Sequence, residues 1–231
     1  MPAKNVIKTY IANGIYHIYN RGVEKRNIFL DEQDYHVFLQ YLKEALSDPK
    51  ELTIMSKSFT LKGEIFKGIP KQPKNFFGNI DLLAYCLMPN HFHLLLAQKS
   101  DHGIDHFMRS IATRYSVFFN KKRKRIGSLF QATYKATLIT EESYLLHLTR
   151  YIHRNPQKYF ENLEDAYSSY GEYLLKRKTR WIKTNTVLSF FTPGKFSFLK
   201  HCNSYKQFVE YDKEIDPQYY DESVTLEFDE D

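Results

Sequence analysis

Cysteine is scarce: Cys86 and Cys202 are the only two in 231 residues. Two thiols build no disulfide framework, and neither sits in a C-x-x-C or other zinc-type spacing, so thiol chemistry and a disulfide scaffold are set aside. No apolar run approaches the roughly 18 residues of a membrane span. The opening "MPAKNVIKTY" lacks the apolar stretch of a secretory signal. A cytoplasmic protein without a membrane partner is expected. No internal repeat marks a solenoid.

What is present suits a globular chain. It is 42% hydrophobic and 16% aromatic, enough for one sizeable core or a domain with an appendage. Charge is unevenly spread. Glu210 to Asp231 hold ten acidic residues and one lysine, so residues 1–209 carry 32 basic against 17 acidic side chains. That net +15 is hidden behind a whole-chain value of +6. A basic body of this kind suits a polyanion, and nucleic acid is favoured because no cationic amphipathic anchor is evident.

Along the chain, "GIYHIYNRG" from Gly14 alternates like a half-buried strand closing in a turn. "DEQDYHVFLQYLKEAL" reads as a helix with an acidic start and apolar Tyr35, Phe38, Leu39, Leu42 and Leu46. Ser47 to Asn79 turns rich in Lys, Gly and Pro, as an exposed insertion with a small hairpin of its own would. "DLLAYCL" and "HFHLLLAQ", joined by Met88-Pro89-Asn90, form a second hairpin pattern. A helical stripe of Phe107, Ile111, Tyr115 and Phe118 follows, then a strand at "ATYKATLI". The last helix, "TEESYLLHLTRYIHRNPQ", has Thr140 as a cap candidate and a stop at Asn155-Pro156. The expected class is α+β, helices against an antiparallel sheet.

In "MPNHFHLLL", His91 and His93 share one face of a strand while Phe92 and Leu94 face the opposite layer. Residues two apart on a strand are separated by roughly 6.5–7 Å, a span that two imidazoles close over one cation. The pair alone equally fits two half-buried histidines satisfied by hydrogen bonds. On the late helix, Tyr144, His147, Leu148, Tyr151 and Asn155 fall to one side, with Arg150 and Arg154 on the polar side. One docked helix thereby presents a phenol and an amide to the histidine strand.

"YHIYNRG", "MPNHFHLLL" and "RYIHRNP", in that order, resemble the single-tyrosine HUH transposases of bacterial insertion sequences. "YSSYGEYL" and "WIKTNTVLSFF" make the chain most similar to the REP-associated tyrosine transposases within that group. The resemblance implies a ferredoxin-like HUH endonuclease fold, with His91, His93 and Asn155 as metal ligands and Tyr151 as nucleophile. Tyr144 and His147 would stand behind them, with Tyr144 also a rival nucleophile. Two imidazoles and an amide bring no negative charge and leave positions for water and phosphate, which suits Mg²⁺ or Mn²⁺.

The resemblance further implies a single-stranded DNA endonuclease and strand transferase working through a 5′-phosphotyrosine on hairpin DNA such as a repetitive extragenic palindrome. Relatives commonly form homodimers, and whether this chain does is left open. Lys121, Lys122, Arg123, Lys124 and Arg125 read as a phosphate-binding loop. Arg150, Arg154 and Arg21 are further DNA contacts, and the lysine-rich insertion a weaker one. The expected organisation is a transposase domain over 1–160 with an insertion at 47–79, an aromatic, basic extension over 161–208, and an acidic tail over 209–231. Two alternatives stay open: a catalytically inactive hairpin-binding protein on the same fold, and a phosphodiesterase using water in place of Tyr151.

Overall fold

The structure is a computed structural model and describes residues 10–52, 56–191 and 204–210. Four strands form its central sheet: β1 (Ile15–Arg21), β4 (Ile80–Met88), β5 (His91–Gln98) and β6 (Lys135–Ile139). Their order is β4-β5-β1-β6, antiparallel throughout. The remaining pair, β2 (Lys57–Leu61) and β3 (Glu64–Gly68), is an exposed hairpin inside the lysine-rich segment. The expected α+β fold, an antiparallel sheet with helices on it, is the one found.

Strand alternation sorts the side chains into two layers. Tyr16, Ile18, Phe92, Leu94 and Leu96 enter a core covered by α1 (Glu32–Leu46) and α2 (Gly103–Arg123). On α2 the buried stripe runs Phe107, Ile111, Tyr115 and Phe119; Phe118, one position short, is only partly buried. Asp31 caps α1 by accepting from the Asp34 amide.

The opposite face carries His17, Tyr19, His91, His93 and Leu95, since Tyr19 pairs with His93 and Arg21 with His91. It is covered by α3 (Glu142–Arg154) and by the chain after it: α4 (Tyr170–Tyr173), α5 (Asn185–Leu188) and α6 (Tyr205–Glu210). Leu145, Leu148 and Ile152 of α3 share a core with Leu95, Tyr170, Tyr173, Tyr205 and Phe208. Residues after Pro156 also blunt the β4 edge, through bridges of Ser168 to Cys86 and Ile182 to Leu82. Glu141, extended and making no side-chain cap, takes the cap position before α3 in place of Thr140.

The turn joining β4 to β5 is anchored from β1. Gly22 donates from its backbone N–H to the Asn90 carbonyl at 2.8 Å, and the amides of Ile28 and Phe29 donate to Pro89. A Cβ at Gly22 would collide with the Arg26 carbonyl oxygen, so only glycine fits where this loop folds back. The start of β5, where His91 stands, is thereby held rigidly. Tail residues 211–231, Cys202 and His201 lie outside the described residues.

Candidate active site

Four of the sequence-predicted site residues meet at the start of β5. His91 and His93 lie with ring centroids 5.0 Å apart and planes nearly perpendicular. The helix after the sheet brings Asn155 to them: its Oδ1 is 3.3 Å from His91 Nε2. Tyr151, one turn earlier and half-buried, stacks edge-on to His93 with centroids 5.5 Å apart. Asn155 keeps helical angles and its amide bonds back to the Tyr151 carbonyl, so the phenol and the carboxamide move as one rigid turn. Pro156 then ends the α-helix in a 3-10 turn over Asn155–Lys158.

Each histidine is oriented from behind. His91 Nδ1 lies 2.6 Å from Asn90 Oδ1, and since an amide oxygen only accepts, that nitrogen donates and leaves Nε2 with its lone pair toward Asn155. His93 Nδ1 is 2.9 Å from Nε2 of His17, a fully buried residue of β1. Burial pushes the His91 imidazole down to about 4, the nearby Arg21 charge adding to this and the Asn155 contact opposing it. His93 is held well below the ordinary histidine range, first by burial and then by His91 and His17. Both rings are therefore neutral near pH 7, the form in which imidazole ligates metals.

Other predicted residues are placed differently. Arg150 is not on a polar face: it is 6% exposed, and its Nε donates to the Phe208 carbonyl at 2.7 Å. The cause is a second layer, α6, covering the outer side of α3. His147 likewise turns to the Phe208 ring, 5.9 Å away. Tyr144 packs into the core beneath α3. Arg154 is half-buried and donates to Gln157 Oε1, and Arg21 stands opposite His91.

The basic run is not a loop over its whole length, because Lys121, Lys122 and Arg123 form the last turn of α2. Lys122 Nζ pairs with Asp31 at 2.7 Å and with Asp34 at 2.8 Å, and Arg123 with the same two carboxylates at 2.6 and 2.9 Å. These two cations hold the Asp31 carboxyl well below its usual range. Arg125 donates to Asn120 and to the Ser128 carbonyl. Lys121 and Lys124 remain exposed.

His17, which sits behind His93, is a residue that the sequence does not single out. Its alternation with Tyr19 in "YHIYNRG" was the available signal, but nothing in the sequence showed that β1 lies beside β5. Among the described residues no three His, Cys, Asp or Glu side chains gather around a metal position, so the third donor on offer is the Asn155 amide.

Residues 64–155, from β3 to the end of the tyrosine turn, match the model of IS200-like transposases. A solved REP-associated tyrosine transposase bound to a REP hairpin superposes with a TM-score of 0.50 at 13% identity, covering 78% of this chain and 98% of that one. A putative transposase from Deinococcus radiodurans R1 matches at 15% identity, covering 71% of this chain and 98% of that one, with a TM-score of 0.36. No curated protein matches. The segment that builds the histidine and tyrosine site is thus similar in sequence to the IS200-like transposases, on the HUH fold of a REP-associated tyrosine transposase.

Proposed function

We propose that this protein cleaves and rejoins single-stranded DNA as a metal-dependent transposase, with Tyr151 as nucleophile. The observation that carries this reading is the 3.3 Å approach of Asn155 Oδ1 to His91 Nε2, beside His93 and Tyr151. With the amide oxygens assigned as they stand, two lone-pair atoms face each other there, an arrangement that a cation stabilises. His91, His93 and Asn155 would hold the ion, and their neutral nitrogen and oxygen donors would suit Mg²⁺ or Mn²⁺. Two neutral imidazoles and an amide complete a loose, uncharged donor set.

The chemistry such an ion supplies when bound is charge neutralisation at a nonbridging phosphate oxygen and polarisation of phosphorus. The chain's own groups do the rest. Rigidity of the Tyr151–Asn155 turn orients the phenol for in-line attack. An ordinary tyrosine has a pKa near 10, so the phenol needs that polarised electrophile. As the Tyr151 oxygen bonds to phosphorus, the bond from phosphorus to the 3′ oxygen breaks. The phenolic proton ends on the released 3′-OH, and the 5′ phosphate stays on the tyrosine. One phosphodiester replaces another, so a later 3′-OH rejoins the strand without a nucleotide cofactor.

Hairpin-bearing DNA is the substrate this reading favours, supported by the basic body and by the resemblance to a hairpin-bound transposase. Incubating the full chain with short single strands from beside its own gene, in Mn²⁺, tests it. Wild type yields a denaturant-resistant adduct, and Tyr151→Phe yields none while still binding DNA. Adduct persisting in the variant would move the nucleophile elsewhere. Turnover without any adduct in wild type would identify water as the nucleophile.

A further inference from the structure

His17 is buried beside the proposed site, yet the reaction as written makes no use of it. Its Nε2 meets His93 Nδ1 at 2.9 Å, and the two rings lie nearly parallel with centroids 5.1 Å apart. One proton joins those nitrogens, and its side of the contact matters. With Nδ1 committed to His17, Nε2 is the only nitrogen through which His93 can ligate a cation, and a ligating nitrogen must carry a lone pair. The proton of a neutral His93 then sits on Nδ1 and is donated to His17 Nε2. By the same count, a neutral His17 that accepts at Nε2 carries its own proton on Nδ1.

That second nitrogen is buried and has no hydrogen-bond partner. Directly opposite His17 across the β1–β6 pairing stands Thr137, whose hydroxyl oxygen is also buried and also lacks one. Side chains opposed in this way have Cβ atoms roughly 4.5–5.5 Å apart, a gap that a change of the Thr137 rotamer or one bridging water closes. A buried donor and a buried acceptor therefore stand at paired positions of neighbouring strands, at the far end of the chain that begins at His93. Buried imidazole and hydroxyl groups of this kind are costly unless they serve each other.

We propose that His17 is a positioning residue that holds His93 in its Nδ1–H tautomer, with the Thr137 hydroxyl as the acceptor behind it. The proposal rests on the reading of His93 as a metal ligand, and its test separates the two. Labelling the full chain with ¹⁵N-histidine and recording long-range ¹H–¹⁵N correlations without metal reports the His93 tautomer directly. The Nδ1–H form is expected; a His93 carrying its proton on Nε2 overturns the proposal whatever the metal does.

Mn²⁺ titration followed by electron paramagnetic resonance supplies the second readout. His17→Phe, which keeps ring volume without an acceptor, should weaken Mn²⁺ binding about 10–100-fold, the usual cost of removing the partner behind a ligand. His17→Gln, whose amide oxygen can still accept, should recover most of that loss. Thr137→Val should weaken binding less than His17→Phe. Equal Mn²⁺ affinity in wild type and His17→Phe refutes the positioning role. Wild type taking up no Mn²⁺ refutes the metal reading instead, with the tautomer still decided by resonance.

Discussion

Asp34 shows how a single side chain can decide what a charge run does. Its carboxylate is fully buried, takes the Leu30 amide at 2.9 Å, and meets both Lys122 and Arg123. Asp34→Ala leaves one amide without its acceptor and two partly buried cations with Asp31 alone, and should cost about 2–4 kcal/mol. For a chain of this size that lowers the melting temperature by roughly 5–15 °C, measurable by calorimetry. Asp31 adds a pH dependence. Its folded pKa lies below the unfolded value, so its contribution is present above the ordinary aspartate range and is lost as pH falls beneath it. Because Asp31 is on the surface, added salt should shrink that contribution.

The same pairing divides the basic run. Lys122 and Arg123 already answer to carboxylates, whereas Lys121 and Lys124 point to solvent. Replacing Lys121 and Lys124 by Gln should reduce the slope of log affinity against log salt for single-stranded DNA by up to about 1.4, at little cost in stability. An unchanged slope removes them from the DNA surface. Sequence spacing showed that five cations stand together, but carboxylates some 90 positions earlier determine which of them are free.

At the scale of elements, the site depends on how α3 is clamped. His153 lies two residues before Asn155, on the side away from Tyr151, and bonds the Tyr205 hydroxyl at 2.6 Å and the Ser169 hydroxyl at 2.8 Å. Ser169 in turn accepts from the Tyr85 amide at 2.9 Å, tying helix, extension and β4 together. His153→Ala leaves two buried hydroxyls short of a partner and opens a cavity, so a loss of about 2–4 kcal/mol is expected in urea unfolding. Adduct formation should fall as well, because Tyr151 and Asn155 ride on the same helix. The helical pattern made Tyr151 and Asn155 legible as one face. Arg150 was misplaced because a wheel describes one helix against one layer, while α3 is packed from two sides and buries Leu145, Leu146, Thr149, Arg150 and His153.

For the whole molecule, described residues after position 160 are part of the core. Tyr170, Tyr173, Tyr205 and Phe208 cover the sheet face that carries the histidines. A chain of residues 1–160 would bare Leu95, Leu145, Leu148 and Ile152, which stabilise only when buried. It should bind hydrophobic dye and aggregate on size exclusion; a soluble, cooperatively unfolding fragment would show that the first 160 residues stand alone.

Local pattern determined much of this protein by itself. Alternation and 3.6-residue spacing are properties of neighbours in the chain, so the strands, the three long helices α1 to α3, the shared face of His91 and His93 and the shared turn of Tyr151 and Asn155 could be read directly, whereas the short helices α4 to α6 could not. Only the tertiary structure decided that β1 lies beside β5, which sets His17 behind His93, and that α6 lies over α3, which buries Arg150. Those outcomes depend on contacts between residues some 60 to 75 positions apart, and no local periodicity encodes which distant surface a given face will meet.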